Sequence, residues 1–258
     1  MKTLFIHQIY GLYDDNKSIY DNPLFMESFA WYKLICDRNN KNLNRNYEYV
    51  YILWDKEMCE KLIEIYPEFN YYHNVRHKIM KVDIIRFLIL YHYGGFYSDL
   101  DVIPKIENFD FLYEAINYDK LFVGHYYWTP QEDGKKIIMD MEVIGTGMEK
   151  NKILYDYLKY IPSQIEEKNN MEIYNSWKIR YVFQTTGPPS FRRFLKPTMR
   201  FDQVRHLTMC GIKKGISFKD KYNKEEYGNI DYQFLSYFSL SYKEQLHGDK
   251  NVEYKKKK

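Results

Sequence analysis

The sequence predicts an α/β fold with a mostly parallel central sheet and helices on both faces. Three observations carry that expectation. Short runs rich in β-branched and aromatic residues alternate with segments of helical spacing through the first half of the chain, the pattern of strand–helix–strand units. One helical segment, Lys78 to Tyr93, is apolar nearly all round, as a helix buried in the body of a domain must be. Neither an internal repeat nor a long polar linker interrupts the 258 residues. A single domain over 1–258 is expected, with halves at 1–105 and 106–250 and a basic tail at 251–258.

Leu4 to Tyr10 reads as the first strand, closed by Gly11. Pro23 to Cys36 is a helix, because Phe25, Phe29, Tyr32 and Cys36 recur three or four apart. Tyr49 to Trp54, "YVYILW", is the second strand. Asp55 can cap the next helix, which turns Met58, Leu62 and Ile65 inward and stops at Pro67. Lys78 to Tyr93 follows, ended by Gly94 and Gly95, and Phe96 to Val102 is the next strand. Leu121 to Gly124 and Ile138 to Ile144 are further strands, and Asn151 to Ile161 is a helix. A last helix runs from "TTGPP" to Leu195, with Thr186 as N-cap and a proline in the first turn. Its free N–H groups could hold an anionic or hydroxyl-rich group, or it is an ordinary capped start. Gly145-Thr146-Gly147 is a turn, or a place where an acceptor approaches the backbone closely.

Bulk properties exclude several function classes. A hydrophobic content of 45% supports a core and argues against disorder. A formal charge of +3 and a pI near 8.4 are too mild for a nucleic-acid partner; the one basic block is the terminal Lys255 to Lys258. Cys36, Cys59 and Cys210 are far apart and form neither a zinc pattern nor a redox pair. The apolar start is too short for a signal peptide and is interrupted by His7. No run of about 18 uncharged apolar residues is present, so no transmembrane segment is expected. A cytoplasmic enzyme or an anchor-free catalytic domain fits these features.

The informative stretch is "KVDIIRFLILYHYGGFYSDLDVIP", Lys81 to Pro104. Asp83 and Arg86 sit three apart in an otherwise apolar helix, hence on one face. Lone buried charges are costly, so the two form a structural ion pair or line a polar cleft. In the strand, alternation puts Tyr97, Asp99 and Asp101 on one side. Two carboxylates sharing a face stay ionised only if a cation or hydrogen-bond donors offset their repulsion. Mn²⁺ or Mg²⁺ suits such oxygen ligands. Ligands of α/β sheets also bind beyond the carboxyl ends of strands, where this pair is expected.

The segment "VDIIRFLILYHYGGFYSDLDV" closely resembles the signature of the DXD sugar-binding family of retaining glycosyltransferases, glycosyltransferase family 32. That family contains initiating α-1,6-mannosyltransferases and shares its core with large glucosylating toxins. Its signature reads Asp-x-x-Arg, an apolar run, Gly-Gly, an apolar-Tyr pair and Asp-x-Asp; each position is present here. "IHQIYG" resembles the family's first strand, with Tyr10 where Trp is usual. "YILWD" resembles its second strand and "TTGP" a later motif. The resemblance spans 1–105 and is patchy to about residue 190. The family commonly ends with a His and a Ser-Trp near the site. No Ser-Trp follows position 200, and His247 in "QLHGD" and His206 in "VRHLT" stand as candidates for the remaining metal ligand.

The resemblance implies a GT-A type Rossmann-like nucleotide-sugar-binding fold and a metal-dependent, retaining hexosyltransferase. Its partners would be a UDP- or GDP-sugar donor, bound by 1–105, and a glycan or glycoconjugate acceptor on the 106–250 side. By position, Tyr10 would stack on the base, with His7 and Gln8 beside it and Trp54 near the nucleotide. Asp83 and Arg86 would bind donor sugar hydroxyls, and Arg86 could also reach phosphate. Tyr97 would wall the pocket. Asp99 would contact ribose and the metal shell, Asp101 would ligate the metal, and His247 would complete it. Asp99, Asp101 and Arg86 are thereby the catalytic candidates. A catalytically degenerate sugar- or nucleotide-binding module is the competing expectation.

Overall fold

The computed structural model describes residues 2–12, 18–42, 47–104, 106–109, 121–131, 134–174, 178–195, 204–213, 216–217 and 234–236. The expected His247 and the basic tail lie outside them, and for His206 only the backbone is described.

The first strand, β1 (Lys2–Ile9), pairs in parallel with β2 (Tyr47–Trp54) and β3 (Gly95–Ser98). The helix α1 (Pro23–Asn40) lies between β1 and β2 in sequence, and α2 (Lys56–Ile65) and α3 (Lys78–Tyr93) lie between β2 and β3. β4 (Val102–Pro104), β5 (Leu121–Gln131) and β6 (Gly134–Thr146) follow, then α4 (Lys152–Asn169), α5 (Lys178–Thr185) and α6 (Pro188–Leu195). The chain continues into β7 (Val204–Lys213), β8 (Ile216–Ser217) and β9 (Phe234–Ser236). Among the described residues the strands join one 9-stranded sheet in the order β2-β1-β3-β6-β5-β7-β9-β4, with β8 on β7. Strands β1, β2, β3, β5, β7 and β9 point one way; β4, β6 and β8 oppose them. The mostly parallel α/β sheet is thus present.

Period-two alternation divides the sheet's two apolar faces. Phe96 packs with Leu4, Ile6 and Val143 against Tyr32, Ile35 and Cys36 of α1. Its neighbour Tyr97 packs with Ile144 and Leu121 into the other core, which takes in α2, α3, α4 and α6. Nine consecutive positions of α3, Val82 to Leu90, are buried and include only two charges, Asp83 and Arg86.

The Gly-Gly pair has a physical cause. Gly94 ends α3 at a φ of 64°, its N–H returning to Leu90 O at 2.9 Å. At Gly95, with φ of 87°, a Cβ would lie 2.1 Å from the carbonyl oxygen of Phe5. Only glycine lets β3 leave the helix and pass so close to β1.

Several boundaries differ from expectation. The strand after the glycines stops at Ser98 instead of Val102, and residues 99–101 form a turn closed by Val102 N–H to Asp99 O at 3.1 Å. Asp99 N–H donates instead to Glu142 O of β6 at 2.8 Å. Asp99 and Asp101 are therefore turn residues, and strand alternation does not place them. Thr186 is not an N-cap: it follows α5, and its hydroxyl reaches Asp83 Oδ2 at 2.7 Å. Helix α4 runs through Pro162 to Asn169 instead of ending at Ile161. Proline cannot donate to Leu158 O, and the Tyr71 hydroxyl supplies the missing bond at 2.7 Å.

Candidate active site

The carboxyl ends of β1, β2 and β3 lie side by side, and Tyr10, Trp54 and Asp99 stand at these ends. Tyr10 N–H bonds Trp54 O at 2.8 Å, and its ring meets Phe25 edge-on at 6.1 Å between centroids. Gly11, at φ of 84°, turns the chain away with open space around it.

Arg86 is the hub. Its Nη2 donates to Asp83 Oδ1 at 3.0 Å, and its Nη1 to Asp99 Oδ2 at 3.3 Å and Met141 O at 2.7 Å. Its guanidinium lies 5.0 Å from the Tyr97 ring centroid. The Tyr97 hydroxyl in turn donates to Asp99 Oδ1. Asp83 thus has both oxygens engaged, by Arg86 and Thr186, and so has Asp99, by Tyr97 and Arg86. Asp101, 5% exposed, sits two residues on in the same turn.

The turn is held from behind. Gln8 donates to Ser28 Oγ at 3.0 Å and Asp99 O at 3.3 Å, and accepts from the Tyr51 hydroxyl at 2.8 Å. Ser28 donates to Val102 O at 2.7 Å. His7 is fully buried: Trp54 Nε1–H donates to its Nδ1 at 3.1 Å, so Nε2 carries the proton and donates to Gly94 O at 3.0 Å. Both ring nitrogens are used, and Trp54 is itself core.

Sequence reasoning missed four contributors: Asp140, Thr186 as the partner of Asp83, Ser28 and Tyr51. Asp140 Oδ1 accepts from the backbone N–H groups of Met141 and Glu142 at 2.6 and 3.0 Å. Here the β5–β6 register shifts between Val123 and His125. Such irregularities re-aim backbone groups; this one presents Met141 O to Arg86 and Glu142 O to Asp99. An acid inside the apolar run "IIMDMEVIG" was the available signal, the same one that marked Asp83.

Burial pushes the Asp83 carboxyl up to about 6 against the pull of Arg86 and Thr186, and pushes Asp140 up as well. Burial drives the His7 imidazole down to about 4. A carboxyl raised in the folded state adds stability below its ordinary value of 3.8, lost as pH rises through about 6. A depressed histidine adds stability above its ordinary 6.5, lost as pH falls toward 4. The two oppose each other on acidification. Asp83→Asn removes one of the compensating carboxyls, so its stability should fall more steeply than wild type between pH 6.5 and 4. Urea titrations should show a difference on the order of 2–3 kcal/mol accumulating across that window; parallel profiles would refute the buried assignment of Asp83.

Among the described residues no three His, Cys, Asp or Glu side chains form a ready-made metal cage. The donor chemistry nevertheless fits a hard divalent cation. Asp83 and Asp99 bond the Arg86 guanidinium, Asp140 interacts with it electrostatically, and Asp101 follows Asp99 in the same turn. Mg²⁺-type ions are commonly held by one or two carboxylates plus substrate phosphates. No described helix is long and apolar enough to cross a membrane.

Comparison with known proteins agrees with this geometry. Residues 34–118 match the glycosyltransferase sugar-binding region containing a DXD motif. An inositol phosphoceramide mannosyltransferase of Schizosaccharomyces pombe is 28% identical over 167 residues, covering 60% of this chain and 44% of the relative. A mannosyl phosphorylinositol ceramide synthase of Saccharomyces cerevisiae is 46% identical over 63 residues, covering 24% of this chain and 16% of the relative. The matches thus span less than half the length of these relatives. Mouse xyloside xylosyltransferase 1 aligns in structure over 91% of this chain and 97% of its own, with a TM-score of 0.50 and 9% identity; that likeness concerns the fold, which is of the GT-A type. The stretch 34–118, which carries Asp83, Arg86, Asp99 and Asp101, is thus similar to the DXD-containing sugar-binding region of glycosyltransferases.

Proposed function

We propose that the chain is a divalent-metal-dependent, retaining glycosyltransferase that moves a hexose from a UDP- or GDP-sugar to a hydroxyl of a glycan or glycoconjugate. The observation that carries it is the closed set Asp83–Arg86–Asp99–Tyr97 beside Asp101 at the carboxyl end of β3. The names of the relatives favour mannose as the hexose and an inositol-bearing acceptor as the first to try.

In this reading Tyr10, at the carboxyl end of β1, stacks its ring on the base. Arg86 holds Asp83 and Asp99 in fixed orientation, so their oxygens meet donor hydroxyls without reorganising at the moment of reaction. Tyr97 walls the donor sugar and fixes Asp99, which faces the ribose. His7, Gln8 and Trp54 position the edge from behind. Asp101 is the carboxylate for the metal. The cation, when bound, would stabilise negative charge on the departing diphosphate.

The test is the product. With a donor panel, Mn²⁺ and simple hydroxyl acceptors, an α-linked donor should give an α-linked glycoside, read from the anomeric proton coupling by NMR. A β-linked product would overturn retention, and hydrolysis with no glycoside from any acceptor would overturn transfer.

A further inference from the structure

A groove of about 370 Å³ lies between the 3-10 segment Pro67–Asn74 and the second half of α4, within the size range of small-molecule sites, about 300–1,000 Å³. Its origin is the proline of α4. Because Pro162 leaves Leu158 O without a helical donor, the Tyr71 hydroxyl turns inward to that carbonyl. With its hydroxyl spent, Tyr71 contributes its ring to the groove, beside Pro162, Ile165 and Val75.

The remaining lining is Asn74, Glu166, Asn169 and Asn170. Asn169 uses its Oδ1 to accept from the Tyr181 hydroxyl at 2.7 Å, leaving its N–H groups to donate elsewhere. Among the described residues the side chains of Asn74, Glu166 and Asn170 have no protein hydrogen-bond partner. The groove therefore joins an aromatic and aliphatic patch to three amides and one carboxylate. Planar amides both donate and accept, and a carboxylate accepts strongly. A pyranose ring presents the matching surface, with a patch of C–H bonds on its face and hydroxyls around its rim. A phosphate would meet Glu166 unfavourably, and a purely apolar ligand would leave the amides dry.

We infer that this groove binds a sugar unit of a glycan, at a second carbohydrate site apart from the donor pocket. Its floor residues Val75 and Ile165 pack on the small core of Met80, Tyr174, Tyr181 and Val182. That core lies under the first turns of α3, the end that carries Asp83. The occupant is accordingly a non-reacting unit of the acceptor chain; this last identification rests on the transferase reading, while sugar binding itself does not.

The experiment is calorimetric titration of the intact chain, without donor, by a linear α-linked mannotriose. A Kd on the order of 1 mM is expected. Glu166→Ala and Asn170→Ala should each weaken it about fivefold, the loss of one hydrogen bond, with unchanged donor hydrolysis and thermal unfolding. Absence of binding, or binding equal in both variants and wild type, overturns the groove. If the trisaccharide binds and the variants weaken it while the wild type turns over no donor, the groove stands and the catalytic reading fails.

Discussion

Asp101→Ala should lower nucleotide release from the preferred donor by roughly 10²–10³-fold, the loss typical of removing one group that stabilises developing charge. Asp101 is buried in a turn whose backbone is fixed by bonds to Val102 and, through Asp99, to β6 and Gln8. These backbone bonds do not run through its carboxylate. Donor hydrolysis at saturating Mn²⁺ reads the effect, and the thermal midpoint of the variant should stay within a few degrees of wild type. A variant retaining more than a tenth of the wild-type rate would remove Asp101 from the metal's ligands.

Arg86→Met should be the most destabilising substitution in the site. The guanidinium is 5% exposed and bonds Asp83, Asp99, Met141 O and Val82 O. Removing one partner of a buried pair costs about 3–5 kcal/mol, because the other charge stays buried and uncompensated. In a domain of this size that lowers the melting temperature by roughly 10 °C or more. The deficit should shrink on acidification, since burial already raises the Asp83 and Asp140 carboxyls and loss of Arg86 would raise them further. Arg86→Lys should recover part of the stability but little activity, as one ammonium cannot reproduce the planar fork that reaches four oxygens. A Met variant as stable as wild type at pH 7 would contradict the hub role.

Local signals in the sequence were read well and long-range ones poorly. The bounds of α3 followed from its apolar run and the two glycines, and Asp55 caps α2 as expected, accepting from Met58 N–H at 2.8 Å. The end of β3 was misread because period-two alternation cannot see β6. The ladder bond from Asp99 N–H goes to Glu142, and the chain must then turn. Thr186 satisfied every local rule for an N-cap, yet its hydroxyl is claimed by a carboxylate 103 positions away. The expected end of α4 at Ile161 falls short of Asn169, because Tyr71, from another element, supplies the bond to Leu158 O that Pro162 cannot make. Helix α5 is only eight residues long, and the expected elements did not include it. In the site, the motif gave Asp83, Arg86, Tyr97, Asp99 and Asp101, which the fold brings together. Ser28, on α1, and Tyr51, on β2, enter only through tertiary contacts with Val102 and Gln8, so no spacing in the chain announces them; Asp140 had only its place in an apolar run to mark it.

The most direct test of the central claim is nucleotide release by the wild-type chain over a panel of UDP- and GDP-sugars, with Mn²⁺ and with chelator. The account predicts slow release from one preferred donor, a mannosyl nucleotide, that stops when the metal is withdrawn. Failure to turn over or to bind any donor in the presence of Mn²⁺ would contradict it.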